Sequence, residues 1–485
     1  RHSKLKFSLA RRSGVGRNSY QRNERKRVAC YIADVTNGKY RTTSDLPLES
    51  QRLVYGNTFR LIRGVMGSGK TLVLIAKAKH FAIKNPDWSI LVLSYNNELA
   101  QGLKSELRQY KNIRATNLDQ LLYDTINKEN KFLWRPPSPT SGWVENHKGK
   151  FPIIASLGTD FITDELTWIQ EVMVSSRQDY LEIRRVGRGT QIQINKDQRN
   201  EIYTLLEKHL KDLDKHRQLT WESLYPSFVN MVKKHEIMPP LFDAILIDEA
   251  QDFAPSWIAV VNRLMKPQGT LFMVDDPSQS IFRYFSWKQR GVDVVGRTKY
   301  LKEPYRNTKE IYYAAQSMIN NDEELIGQLK SEGEVLLGDI DLNTIRSGER
   351  PAIVSIAEAG NDLRFVESQI QSYKREKGVK YESMCVIAPN AKEAKRFTAA
   401  LSKYNIKIIT RNRVKGLTFD IVFIVGLENY FSFDPETNSS RLSQEKRIIY
   451  SSMGRARNSL YLLHQKKISP HFEVLRDYVD YFDYK

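Results

Sequence analysis

Thr58-Phe-Arg-Leu-Ile-Arg-Gly64-Val-Met-Gly-Ser-Gly-Lys70-Thr71 is the stretch that decides the fold. Phe59–Arg63 reads as a short strand. Gly64 to Thr71 matches G-x-x-x-x-G-K-[ST] in full, and an apolar helix follows from Lys70 to about Lys84. A glycine-rich turn between a strand and a helix lets backbone N–H groups wrap a phosphate chain, and the helix N-terminus adds its dipole. Gly64, Gly67, Ser68 and Gly69 form that cradle. Lys70 should reach the β- and γ-phosphates of a nucleoside triphosphate, and Thr71 should hold Mg²⁺. The plainer alternative is a chance glycine-rich turn, and the flanking strand and helix argue against it.

Outward from this loop the pattern alternates. Ile90–Tyr95 is a continuous apolar run of strand length, followed by a helix from about Glu98 to Tyr110. Such runs are expected where a parallel sheet is covered on both faces. Residues 120–235 are helical and charged, broken by a loop at Arg135–Gly142. The sheet pattern resumes at Phe242–Ile247 and Thr270–Val274. A second alternating unit spans about 299–485, with strands expected at Ala352–Ile356, Met384–Ala388, Ile421–Val425 and Ser459–Leu463. The expected organisation is a first α/β domain over 48–119 and 236–298, a helical insert over 120–235, and a second α/β domain over 299–485. Residues 1–47 read as a basic arm or the remnant of a further domain.

The chain has 485 residues, too many for one ordinary core. Hydrophobic residues make up 41%, enough to fill several. Lys and Arg total 75 against 56 acidic residues, a net charge of +19 that draws phosphate backbones toward the surface. No apolar run approaches membrane-span length. Cys30 and Cys385 are too few for a disulfide framework or a zinc site, which fits a reducing cytoplasm.

Asp248-Glu249-Ala-Gln-Asp252 follows the apolar run Phe242–Ile247. An acidic cluster after a strand is usually a solvated loop. Paired with a phosphate loop it acquires a role: Asp248 can bind Mg²⁺, and Glu249 can orient and deprotonate the attacking water.

The ordered set of motifs resembles the superfamily 1 helicases of the UvrD/Rep group, from about Leu48 to Leu463. The resemblance implies two RecA-like parallel-sheet domains of the P-loop NTPase class, with ATP and Mg²⁺ in the cleft between them. Gln51 resembles the glutamine that reads the adenine edge. Tyr95 and Asn96, then Thr116 and Asn117, stand where relatives contact single-stranded DNA. Val274-Asp-Asp-Pro-Ser-Gln279-Ser-Ile-Phe282 resembles the segment that links nucleotide to DNA, with Gln279 sensing the γ-phosphate and Phe282 and Tyr284 near the bases. In Leu301-Lys-Glu-Pro-Tyr305-Arg306-Asn-Thr308, Tyr305 would stack on adenine and Arg306 would touch the γ-phosphate. Gly416 lies in a segment similar to K-G-L-E-F-D. Arg455 would be the arginine finger. Of the nearby aromatics Phe285 and Trp287, at least one is expected in the core.

Several residues depart from the pattern. Thr418 replaces a glutamate, Leu72 an arginine, Phe285-Ser286 an Arg-Gly pair, and Gly454 a threonine. Only one helix and one strand fit between Asn390 and Lys415, where relatives carry a large helical subdomain. The function so implied is an ATP-dependent translocase or helicase, moving 3′ to 5′ on single-stranded DNA in the cytoplasm, at the nucleoid in a bacterium. Two rivals stand beside it: a nucleic-acid-stimulated ATPase that switches or loads a partner or fused nuclease, and an RNA motor.

Overall fold

The computed structural model describes residues 58–94, 97–129, 135–183, 185, 192–280, 285–331, 345–358, 360–433 and 439–484. Strand β1 (Thr58–Gly64) feeds through the phosphate loop into the helix Lys70–Lys84. β2 (Ile90–Ser94) is buried at all five positions, as a strand covered on both faces must be. β3 (Ile113–Asn117) follows the helix Asn97–Leu107. The chain then leaves for a mainly helical region before it returns. In that region β4 (Arg135–Ser138) pairs with β5 (Gln218–Thr220) as a small parallel ribbon. A loop was expected at Arg135–Gly142. Instead Arg135–Ser138 is strand, and a helix starts at Thr140. Two prolines tolerate this because they sit in an edge position of a two-stranded ribbon, where few N–H donors are needed.

β6 (Phe242–Ile247), β7 (Met265–Asp275) and β8 (Thr298–Leu301) complete the first sheet, in the order β3-β2-β6-β7-β1-β8. Every pairing in it is parallel. β8 pairs with β1, so the boundary expected at 298/299 moves to a point after Leu301. The second sheet contains β9 (Ala352–Ile356), β10 (Met384–Ala388), β11 (Lys407–Thr410), β12 (Phe419–Ile424), β13 (Ala456–His464) and β14 (Asp480–Tyr484). Its order is β11-β10-β12-β13-β9-β14, again parallel throughout. Cys385 is buried in β10.

The helical region has a core of its own. Ile154, Ile162, Leu166, Trp168, Tyr180 and Leu205 pack there together with Phe285. Its outermost helices behave differently. Leu118–Glu129 and Trp221–Lys233 send Leu121, Leu122, Phe228 and Val229 into the core of the first sheet. Phe285 and Trp287 are both buried, at 2% and 1% exposure, and belong to different cores.

Because each sheet is parallel, all its strands end at one edge. Gly64, Ser94, Ile247 and Asp275 therefore finish on the same side of the first sheet, where loops of open α/β sheets bind ligands.

Candidate active site

The phosphate loop is shaped by glycine. Gly67 and Gly69 take left-handed backbone angles, φ 75° and 86°, that other residues rarely adopt. A Cβ on Gly64 would come within 2.5 Å of Ser68 Oγ and press on Leu301 Cβ at 3.0 Å and Lys70 Cγ at 3.1 Å. The helix Lys70–Lys84 has no side-chain cap and no acidic residue in its first turn, which leaves its N-terminal dipole uncompensated for an anion. Lys70 is buried. Its Nζ donates to Gly64 O and Val65 O, both at 2.9 Å, and to Asp276 Oδ2 at 3.1 Å.

The acidic pair sits beside this loop. Thr71 Oγ1 donates to Asp248 Oδ2 at 2.9 Å, joining two residues far apart in sequence. Burial, and then the charge on Glu249, push Asp248 up to about 7. A buried carboxylate and a hydroxyl are hard oxygen donors, and a cation would relieve the cost of charging Asp248. The pair therefore fits Mg²⁺, with the remaining ligands coming from phosphate and water. Glu249 is held at φ 53°, a left-handed conformation that costs a non-glycine residue about 1–3 kcal/mol. Burial opposes its charge, but Lys415, Lys70 and Arg455 more than offset this and hold it below its ordinary value. Gln251 Nε2 donates to Glu249 Oε2 at 2.6 Å, and Gln251 Oε1 accepts from the Asp276 N–H at 3.0 Å.

The second domain reaches in with residues that precede its strands. Arg455 lies just before β13 and is 1% exposed. Its Nε donates to Ser451 O at 2.9 Å, and its Nη2 donates to Ser451 Oγ at 3.1 Å and to Gln279 Oε1 of the first domain. Gln279 Nε2 in turn donates to Asp276, the carboxylate that also accepts from Lys70. Lys415, just before β12, forms a buried ion pair with Asp252. Tyr305 and Arg306 donate their backbone N–H groups to Gly67 O at 3.0 and 3.3 Å. One polar network thus runs from the phosphate loop through Asp276 and Gln279 to Arg455.

Residues 49–289 match the model of the UvrD/REP helicase N-terminal domain, and residues 300–409 and 399–467 match that of the UvrD-like helicase C-terminal domain. The chain belongs to the UvrD/REP helicase family. Both halves carry its domains, so it is built as an ATP-hydrolysing DNA helicase. It is 23% identical to DNA helicase IV of Escherichia coli K12 over 89% of this chain and 70% of that protein. It is 20% identical to the ATP-dependent DNA helicase PcrA of Leuconostoc citreum over 71% of this chain and 47% of PcrA. A probable DNA helicase of Mycoplasma pneumoniae is 25% identical over 45% of this chain and 43% of its own length. The chain thus spans less than half of the last two.

Other expected members of this UvrD/REP site fall less centrally. Gly416, at φ 75°, faces the first domain: a Cβ there would press on Leu99 Cδ1 at 3.0 Å. Tyr305 is half-buried, and its hydroxyl donates to Glu303 Oε2 at 2.5 Å. Leu72, in the place of the family's arginine, is exposed. Asn117 caps the helix Leu118–Glu129, accepting from the Gln120 N–H at 2.7 Å, and its amide donates to Asn97. Thr116 is half-buried at the end of β3. Gln51, Tyr95, Asn96, Phe282 and Tyr284 lie outside the described residues. Sequence reasoning missed Asp276, Asp252, Lys415 and Asn307. The doubled Asp275-Asp276 was a visible signal for the first, and the lysine of the K-G-L segment for the third. Asp275 itself serves packing: it accepts from Arg63 Nε and Nη2 at 3.1 and 2.8 Å and from Trp287 Nε1 at 3.0 Å.

Proposed function

We propose that this UvrD/REP protein is an ATP-driven motor that tracks 3′ to 5′ along single-stranded DNA by closing and opening the cleft between its two sheets. The observation that supports it best is the relay that joins Lys70 of one domain to Arg455 of the other: Lys70 and Gln279 both donate to Asp276, and Arg455 donates to Gln279. Transfer of a γ-phosphoryl group spreads negative charge over its oxygens, so cations must meet there from several directions. Lys70, Arg306 and Arg455 supply them. Glu249 takes the proton of the attacking water, and the charges of Lys415, Lys70 and Arg455 keep its buried carboxylate ionised and able to accept one. Thr71 and Asp248 would hold Mg²⁺, which would supply positive charge beside the phosphates when bound. Gln279 contacts Arg455 directly and leads into the chain toward Phe282 and Tyr284, so it couples nucleotide to bases. The positive charge of the chain favours a nucleic-acid partner. By family it works on DNA, in the cytoplasm and near the nucleoid.

A second reading has its own support. The strand Met384–Ala388, the helix Ala391–Ala400 and the strand Lys407–Thr410 follow one another directly, with no helical subdomain before Lys415. A motor without that subdomain can serve as an ATPase switch or loader for a nuclease, in the same chain or in a partner. ATPase assays with and without single-stranded DNA, beside strand displacement on a 3′-tailed duplex, separate the two. The motor reading predicts DNA-stimulated turnover with displacement. Stimulated turnover with no displacement supports the switch, and stimulation by RNA alone overturns the DNA assignment.

A further inference from the structure

Met66 lies in the phosphate loop of the first domain, yet its side chain is fully buried in the core of the second, in one cluster with Tyr312, Tyr450 and Met453. It fills the space over Gly454. A Cβ at Gly454 would overlap Met66 Sδ and come within 2.7 Å of its Cγ and 3.0 Å of its Cε. Gly454 is not among the glycines with positive φ, so its backbone does not require glycine; the space taken by Met66 does. This accounts for two residues together, a long apolar side chain in a glycine-rich loop and a glycine beside the arginine finger.

Asn307 closes the link from the other side. It is fully buried, and its Nδ2 donates to Gly454 O at 3.0 Å and to Ala456 O at 2.5 Å, the two carbonyls that flank Arg455. Its Oδ1 lies 2.7 Å from where a Cβ of Gly67 would stand and makes no hydrogen bond. A buried acceptor without a partner costs about 1–3 kcal/mol, so this amide is oriented by its two donors and by the loop it touches. The chain from Tyr305 to Asn307 therefore grips Gly67 with its backbone and residues 454–456 with a side chain.

We propose that Met66 and Asn307 are positioning residues that set Arg455 against the phosphate loop, so that movement of the loop repositions the arginine through packing as well as through its guanidinium. Close-packed side chains transmit displacement, because few voids are available to absorb it. The proposal rests on the reading of Arg455 as the finger that acts on the γ-phosphate.

The test is a mutant cycle in ATP hydrolysis, with kcat, KM and melting temperature measured for Gly454→Ala, Met66→Ala, the double variant, Asn307→Ala and Arg455→Ala. A misplacement of about 1 Å at a reacting group can lower rate by about a hundredfold. Gly454→Ala should therefore reduce kcat between about tenfold and a hundredfold, with KM for ATP moved less than about threefold. Adding Met66→Ala makes room for the new methyl and should bring kcat back to within about threefold of the parent. Asn307→Ala introduces no overlap and should show the same loss in kcat with KM kept. Full kcat in Gly454→Ala, or a double variant no faster than Gly454→Ala, overturns the proposal. If Gly454→Ala does not fold, Asn307→Ala and the double variant carry the test, and full kcat in Asn307→Ala overturns it. A merely structural role would lower the melting temperature and restore it in the double variant without recovering kcat. Full kcat in Arg455→Ala would instead sink the finger reading, while the 66–454 coupling would still be visible in the melting temperatures.

Discussion

In the helical region Glu165 is fully buried and amply matched. Arg185 reaches it with Nε at 2.9 Å and Nη2 at 2.5 Å, and the Tyr180 hydroxyl donates to it at 2.7 Å. In the cleft Asp248 is buried as deeply, but it accepts two neutral hydrogen bonds, from the Thr71 hydroxyl at 2.9 Å and the Glu249 N–H at 3.0 Å. Nearby, Asp252 Oδ1 has no partner, and Glu249 sits in a strained backbone conformation. One region has settled its charges within itself, and in the other Asp248 accepts from neutral groups only, so a bound cation would relieve the cost of charging it. Local rules broken in a cluster mark a working site; rules kept mark a scaffold.

This contrast can be broken most directly at Lys70. Lys70→Ala should reduce ATP turnover by at least about a thousandfold, because the phosphates lose their main cation, while the melting temperature falls little. Steady-state ATPase and thermal melting read both halves. Near-normal turnover in a folded variant would remove the nucleotide from this cleft.

Arg455→Ala should lower the rate constant about a thousandfold and ATP affinity far less, since a finger acts mostly in the transition state. Single-turnover hydrolysis beside equilibrium nucleotide binding separates the two quantities. A loss of affinity equal to the loss of rate would make Arg455 a binding group only.

The scaffold should respond in the opposite sense. Leu166 is fully buried in the core of the helical region, so Leu166→Ala should destabilise it by about 2–5 kcal/mol, with turnover per folded molecule unchanged. Chemical denaturation and active-site titration would check this. A fall in turnover without a fall in stability would tie the region to catalysis.

His209 sharpens the comparison by pH. It is fully buried against Trp143, with ring centroids 4.6 Å apart, and neither ring nitrogen has a hydrogen-bond partner. Burial lowers its pKa from 6.5 to about 4, against the opposing pull of Asp212. The unfolded chain therefore takes up the proton first as pH falls. Stability from the neutral ring is complete above about 6.5 and is lost as pH falls toward about 4, on the order of 3 kcal/mol at most. His209→Leu should flatten the pH dependence of unfolding across this window. An unchanged slope would show that His209 does not stay neutral when folded.

Much of the architecture was legible because parallel strands buried on both faces must be continuous apolar runs, and Ile90–Ser94, Phe242–Ile247 and Met384–Ala388 are such runs. Thr298–Leu301 and Asp480–Tyr484 escaped because they are edge strands, half exposed and rich in polar residues. Arg135–Ser138 escaped because two prolines read as a turn.

The strand, loop and helix around Lys70, and the carboxylates at the end of the next central strand, could be read from the chain alone. Their chemistry depends on local backbone geometry, and local geometry leaves a local pattern. The pairing of Lys415 with Asp252, the grip of Asn307 on the carbonyls around Arg455, and Met66 filling the space over Gly454 join residues distant in the chain, the first and the last of them across the two domains. Such contacts follow from how two finished sheets meet. No periodicity or spacing records them, because the shape of each partner exists only after its own core has packed.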